Sequence, residues 1–224
     1  MTKIRISLPI LILMLLSVAF ICLPANATAL LPGTTVVPSA FVGSPGTLEA
    51  THTATFVSTL GPTDFSGTVT EAVYLDSITG TTLDFVYQFS NNAGSTRPIE
   101  QMSDSSYDSF LTDVSQSLTA FGAFTGGGTL AIDATRSAGG NNVAWDGTWG
   151  GSGSSVTSAI LMIKTNANSF IPGTVSFINS GTVTLTGFFA PSEVPEPTFY
   201  GLFGAGLIGL IWVSRKRKVS QPTN

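Results

Sequence analysis

An apolar–polar alternation of period two runs through the middle of the chain. Leu83, Phe85, Tyr87 and Phe89 alternate with Asp84, Val86, Gln88 and Ser90, which predicts a strand with one apolar and one mostly polar face. Leu130, Ile132 and Ala134 alternate with Ala131, Asp133 and Thr135, and Val143, Trp145, Gly147 and Trp149 repeat the pattern. Val183, Leu185 and Phe189 are expected on one face, against Thr182, Thr184 and Thr186. Residues 159–165 are apolar at nearly every position, as a central strand would be. Residues 49–60, 68–76 and 174–178 are further Thr- and Val-rich strand candidates, the first two divided by Gly61-Pro62 and Gly67. Pro38 makes residues 34–41 an edge strand at best. Residues 103–118 read as irregular. Phe110, Leu111, Val114 and Leu118 fit helical spacing, yet Ser, Thr and Asp disfavour a helix interior, so a short strand or a helical turn is open there. Roughly eight to ten short strands with turn signals between them predict an all-β fold, an antiparallel β-sandwich or jelly roll. No internal repeat is visible.

The two ends follow another pattern. Lys3 and Arg5, an apolar run over residues 10–23 and Ala25-Asn26-Ala27-Thr28-Ala29 form a secretory signal peptide, residues 1–29. Ala27 and Ala29 each complete a small-x-small cleavage site. Cys22 is no lipoprotein anchor, because the large residues Phe20 and Ile21 precede it. At the other end, Val194-Pro195-Glu196-Pro197 is followed by an uninterrupted apolar run of 15 residues, 199–213. Arg215, Lys216, Arg217 and Lys218 close it, and residues 219–224 form a polar tail. The prolines fix an extended, exposed strip that cannot join a following helix. As a helix the apolar run spans roughly 22 to 26 Å against a hydrocarbon core of about 30 Å. It is short for a permanent span, and the four cations belong on the cytoplasmic side. Gly201, Ala205 and Gly209 share one helix face, as a small-residue span would place them in any case.

This order, Pro-Glu-Pro, apolar span and basic cluster at the C-terminus, resembles the PEP-CTERM sorting signal. The resemblance implies handling by an exosortase, a membrane-embedded enzyme for which Val194, Pro195, Glu196 and Pro197 are substrate positions. It also implies export by the Sec translocon and signal peptidase, transient anchoring, and a final place at the cell surface or in the extracellular matrix. Residues 83–91, 134–137 and 163–167 are similar to stretches of other exported PEP-CTERM proteins, which implies a β-rich fold and no activity.

Between the processed ends, residues 30–193 are long enough for one domain with a real core. They contain no cysteine, so neither disulfide nor thiolate chemistry is available. Residues 30–197 hold all 13 carboxylates against only Arg97, Arg136 and Lys164, a net charge of −10 that the −4 of the whole chain hides. Such a domain repels nucleic acid and anionic lipid.

The candidate chemistry is sparse. His52 is the only histidine, and no G-x-S-x-G elbow accompanies it. Zinc would need more nitrogen or sulfur ligands than one histidine supplies. Asp104, Asp108 and Asp113 are oxygen ligands of the kind calcium uses, but no EF-hand or nonapeptide pattern surrounds them. A glycosidase pair cannot be picked from thirteen acids by spacing. Trp145 and Trp149 stand on one face with Asp146 between them, a platform on which sugar rings could stack. The same alternation also puts both rings in the core, where aromatic area is usually spent.

The sequence therefore reads as an exported, non-enzymatic surface or matrix protein without a cofactor, linked to extracellular polysaccharide or biofilm. The alternative is a secreted carbohydrate-binding module or carbohydrate-active enzyme carrying the same tail.

Overall fold

The computed structural model describes residues 27–193. Residues 1–26, the Pro-Glu-Pro motif, the apolar run and the cations Arg215 to Lys218 lie outside them. Every helix or strand among the described residues is a strand. In chain order these are β1 (Thr28–Ala29), β2 (Thr35–Val36), β3 (Ser39–Ala40), β4 (Gly46–Val57) and β5 (Ser66–Asp76). Then come β6 (Leu83–Asn91), β7 (Ile99–Asp104), β8 (Thr112–Ser117), β9 (Asp133–Arg136) and β10 (Val143–Trp149). The last four are β11 (Val156–Thr157), β12 (Ile160–Thr165), β13 (Ser169–Ile178) and β14 (Thr182–Ser192).

The larger sheet runs β1-β8-β12-β6-β5-β4, with β3 also on β8 and β11 also on β6. The smaller runs β14-β13-β7-β10-β9-β2. The pairing is antiparallel except for the two-residue β3·β8 contact. Apolar side chains of the two sheets share one core. Phe56 and Phe89 of the larger sheet meet Phe177 of the smaller at centroid distances of 4.2 and 5.1 Å, and Phe89 meets Trp149 at 5.0 Å. A second cluster of Phe41, Ala72, Tyr74, Val86, Phe124, Ile160 and Met162 covers part of the opposite face of the larger sheet.

That second cluster explains the first departure from the sequence pattern. The polar face predicted for residues 83–90 is mostly buried, because the 121–125 segment folds over it. Gln88 fastens the cover: its Nε2 donates to the Thr125 and Ser158 carbonyls at 2.8 and 3.1 Å, and its Oε1 accepts from the Thr125 amide at 2.9 Å. Gly128 lets the cover approach, since a Cβ there would lie 2.3 Å from the Ser158 carbonyl oxygen.

Other departures have local causes. Pro38 splits the predicted edge strand into β2 and β3, which join different sheets. The 103–118 stretch contains neither helix nor disorder of pattern: it holds the end of β7, a turn and β8, paired on both sides. Its Ser and Thr side chains suit β8, where Ser115 and Ser117 are buried. Leu130 and Ile132 are exposed at 46% and 64%, against the face predicted for them, because the strand begins only at Asp133. On β14 a bulge flips the parity. Gly187, at φ +87°, is left without a partner between Thr186 and Phe188, so Phe188 is fully enclosed in the core while Phe189 is only partly buried against it.

Candidate functional site

Among the described residues, polar side chains gather in several places. The deepest is between the sheets. Glu71 on β5 is in phase with Val69 and Val73 and faces inward with them, and Asp104 on β7 is in phase with Met102. Both are shut off from solvent. Tyr87, opposite Glu71 on β6, and Tyr107 both donate to Asp104 Oδ2, the latter at 2.5 Å, and their hydroxyls lie 3.3 Å apart. Glu71 Oε2 accepts from the Phe189 amide at 2.7 Å, while Oε1 is buried without a partner. Burial pushes Asp104 up to about 7, against the pull of the two tyrosines. Burial, then the nearby Asp104 charge, holds Glu71 well above the usual carboxylate range. These are carboxyls whose hold on the proton is strengthened by a closed core.

The second group sits on the outer face of the larger sheet. Lys164 Nζ lies 2.6 Å from Asp76 Oδ2 and 3.3 Å from Asp84 Oδ2. Asp84, opposite Lys164 on β6, is raised to about 7 by burial, which the lysine only partly offsets. Burial works against the Asp76 charge as well. The Lys164 hydrogen bond and the Thr79 and Ile78 amides outweigh it and bring Asp76 down to about 2. Asp76 thus closes the turn after β5.

Third is Arg136, in phase with Ala134 and buried at the end of β9. Its guanidinium donates to the carbonyls of Gly140, Leu30, Tyr107 and Phe110 at 2.9, 3.2, 2.5 and 2.8 Å, and to Thr112 Oγ1 at 2.7 Å. It is spent on backbone, beside a shallow pocket lined by Leu31, Asp108, Phe110, Leu111 and Asn166.

The fourth is exposed: the outer face of the smaller sheet. Register sets Thr184, Ser176, Ser103, Ala144, Thr135 and Thr35 in one row across all six strands. Hydroxyls bond along it, Ser176 to Thr184 at 2.9 Å and Thr35 to Thr135 at 2.8 Å. Beside this row Asp146 stands opposite Asp133 and accepts from Gln101 Nε2 at 2.7 Å. Partial desolvation and the Asp146 carboxylate both raise Asp133. This face offers hydroxyls, one amide and two adjacent carboxylates to a polar ligand.

The residues singled out in the sequence fare differently. Trp145 and Trp149 are both 0% exposed, so the sugar platform is corrected to core: strand parity turns both indoles toward the opposite sheet. Trp149 Nε1 donates to the Thr129 carbonyl at 2.9 Å, and Asp146 points the other way, onto the outer face. His52 is half-buried, edge-on to Phe188 at 4.8 Å. The three aspartates proposed for calcium are dispersed: Asp104 is in the core, Asp108 is exposed, and Asp113 is half-buried on β8. No three His, Cys, Asp or Glu side chains among the described residues form a group that could hold a metal. The core quartet of Glu71, Tyr87, Asp104 and Tyr107 escaped sequence reasoning, although one sign of it was legible: Glu71 and Asp104 fall on the apolar parity of their strands.

The described all-β domain is followed in sequence by the Pro-Glu-Pro, apolar and basic stretch. Residues 193–218 match the family model of the PEP-CTERM protein-sorting motif, and the chain carries that motif. No curated protein and no solved structure matches the chain.

Proposed function

We propose that this chain is a non-enzymatic β-sandwich protein, exported, held briefly by its C-terminal apolar run, and released by an exosortase to the cell surface or an extracellular polysaccharide matrix. The sorting motif at residues 193–218 carries this reading. The domain supports it through the use it makes of its titratable groups. Asp104 accepts from two tyrosines, Asp76 closes a turn, Arg136 ties backbone, and Asp64 accepts from Ser58 and Ser180 at 2.5 and 2.9 Å. Of these, Arg136 borders the pocket described above, but its donors are spent on backbone carbonyls and the Thr112 hydroxyl. A net charge of −10 over residues 30–197 keeps the released domain soluble and away from nucleic acid and anionic lipid.

The experiment is mass spectrometry of the mature C-terminus in a host that has an exosortase, with fractionation. Wild type is expected to lose residues 199–218. Replacing Pro195 and Glu196 with Ala is expected to strand full-length chain in the membrane. Neutralising Arg215, Lys216, Arg217 and Lys218 is expected to let the chain slip through or insert poorly. Mature wild type that still carries residues 199–218 would replace this reading with a plain membrane anchor.

The second reading, a carbohydrate-binding module, rests on the outer face of the smaller sheet, with its hydroxyl row and Gln101, Asp133 and Asp146. Saturable binding of a neutral glycan, lost on changing Asp146 to Ala, would favour it over a purely structural role.

A further inference from the structure

The two long edges of the fold lie on the same side. β4, with 12 residues, closes the larger sheet, and β14, with 11, closes the smaller. The His52–Phe188 contact brings them together. The opposite edges end in the two-residue strands β1, β3 and β2. An edge strand offers a row of backbone N–H and C=O groups to any other strand, and folds usually blunt it with shortness, lysine, proline or a bulge. β4 has only a bulge near its start, between Leu48 and Ala50. From Ala50 to Val57 it has no proline, lysine, arginine or carboxylate. In a domain this acidic, copies repel one another over most of their surface. The β4 edge is a long backbone-bonding stretch with no local source of that repulsion.

We propose that β4 is a self-association edge, through which two copies pair antiparallel about a two-fold axis at Thr53, making the larger sheet continuous across both. The register follows from the faces. Thr51, Thr53 and Thr55 are exposed on the outer face, while Ala50, His52 and Ala54 turn toward the core and are half-buried. Residues opposite each other in an antiparallel pair share a face, so the axis must pass through a residue and not between two. An axis at Thr53 sets that residue against its copy, Thr51 against the partner's Thr55, and His52 against the partner's Ala54. Cross-strand hydroxyl pairs of this type already occur within the fold: Thr53 bonds Thr70 at 3.0 Å, and Thr35 bonds Thr135 at 2.8 Å. The two copies of Glu49 fall at opposite ends of the paired stretch, about 26 Å apart at strand rise, so no like charges meet. The contact is isologous and closes at two copies. It does not depend on the sorting reading.

The test uses the full chain with Cys22 replaced by Ala, so that one introduced thiol is the only one. After mild oxidation in the producing cells, Thr53→Cys is expected to run as a dimer on a non-reducing gel. Thr148→Cys, exposed on the central strand β10, is expected to stay monomeric. Absence of the Thr53→Cys dimer, or equal dimer from both variants, overturns the proposal. Light scattering of the detergent-solubilised chain adds a second measurement. Thr53→Lys places two cations against each other at a position outside the core, so it is expected to convert dimer to monomer with protease resistance unchanged. A dimer that survives Thr53→Lys also overturns the proposal.

Discussion

Tyr107 donates its phenolic hydrogen to Asp104 across 2.5 Å in a core closed to water on every side. The bond is part of a small acid store. Asp104 and, beside it, Glu71 keep their protons in the folded domain at pH values where the unfolded chain has released them.

Linkage gives the sign. A carboxyl raised from 3.8 to about 7 binds more protons folded than unfolded throughout that window, so stability falls as pH rises through it. Asp76, lowered to about 2, acts the other way, and its contribution is lost only as pH falls from 3.8 toward 2. Melting temperature is therefore expected to be highest at about pH 4 to 5 and to decline toward neutrality. Asp104→Asn should flatten that decline. A wild-type profile that rises from pH 5 to 8 would refute the assignment, and thermal melts across the range decide it.

The tryptophans give a second prediction. Each indole is wholly enclosed, so Trp145→Ala or Trp149→Ala should cost about 3 to 5 kcal/mol in denaturant unfolding. Trp149 should stand at the upper end, since its loss also removes one of the two hydrogen bonds that the Thr129 carbonyl accepts. Unchanged unfolding midpoints would contradict the buried positions.

How much of this was legible in the sequence depends on which face of a strand a residue takes. Strand type was readable wherever burial is one-sided, as at Val143, Trp145 and Trp149. It failed where a second layer covers the sheet, as at Asp84 and Gln88, because a polar residue under a loop looks the same as one under water. It failed again at Gly187, where a single unpaired residue reverses the parity of Phe188 and Phe189. The core quartet was hidden for a further reason. Glu71, Tyr87 and the Asp104–Tyr107 stretch come from three separate segments, and only the packing of the two sheets brings them together. The tail was the most legible part, because its order is linear and needs no tertiary contact.

The start of the mature protein follows from packing. Sequence allows cleavage after Ala27 or Ala29, but Thr28 and Ala29 pair with Val114 and Asp113 of β8. Leu30 is 0% exposed, and its amide donates to the Thr112 carbonyl at 2.8 Å. Cutting after Ala29 would remove β1 and set a charged terminal ammonium at that buried amide, which is costly. Cleavage after Ala27 keeps both. Intact mass or N-terminal sequencing of the exported protein is expected to begin at Thr28, and a chain beginning at Leu30 would contradict this.

The last prediction concerns Arg136 and uses the shape of the guanidinium. Its donors reach the carbonyls of Leu30, Tyr107, Phe110 and Gly140 together with the Thr112 hydroxyl, so one side chain joins the N-terminal strand, the 107–112 turn and the 137–140 turn. If it is removed, the Tyr107 carbonyl keeps only the Phe110 amide and the Leu30 carbonyl only the Thr112 hydroxyl, and hydrogen bonds from a charged donor are worth about 1.5 to 3 kcal/mol each. Arg136→Ala should therefore destabilise the domain by more than about 3 kcal/mol. Arg136→Lys is the sharper variant. It keeps the charge, but a single ammonium cannot span acceptors set around a planar fork, so the loss should approach that of alanine. If charge alone mattered, lysine would restore most of the stability. Denaturant unfolding of both variants separates the two accounts, and limited proteolysis locates the damage. New cleavage within residues 105–112 is expected in both variants, and near-wild-type behaviour of Arg136→Lys would show that the fork is dispensable.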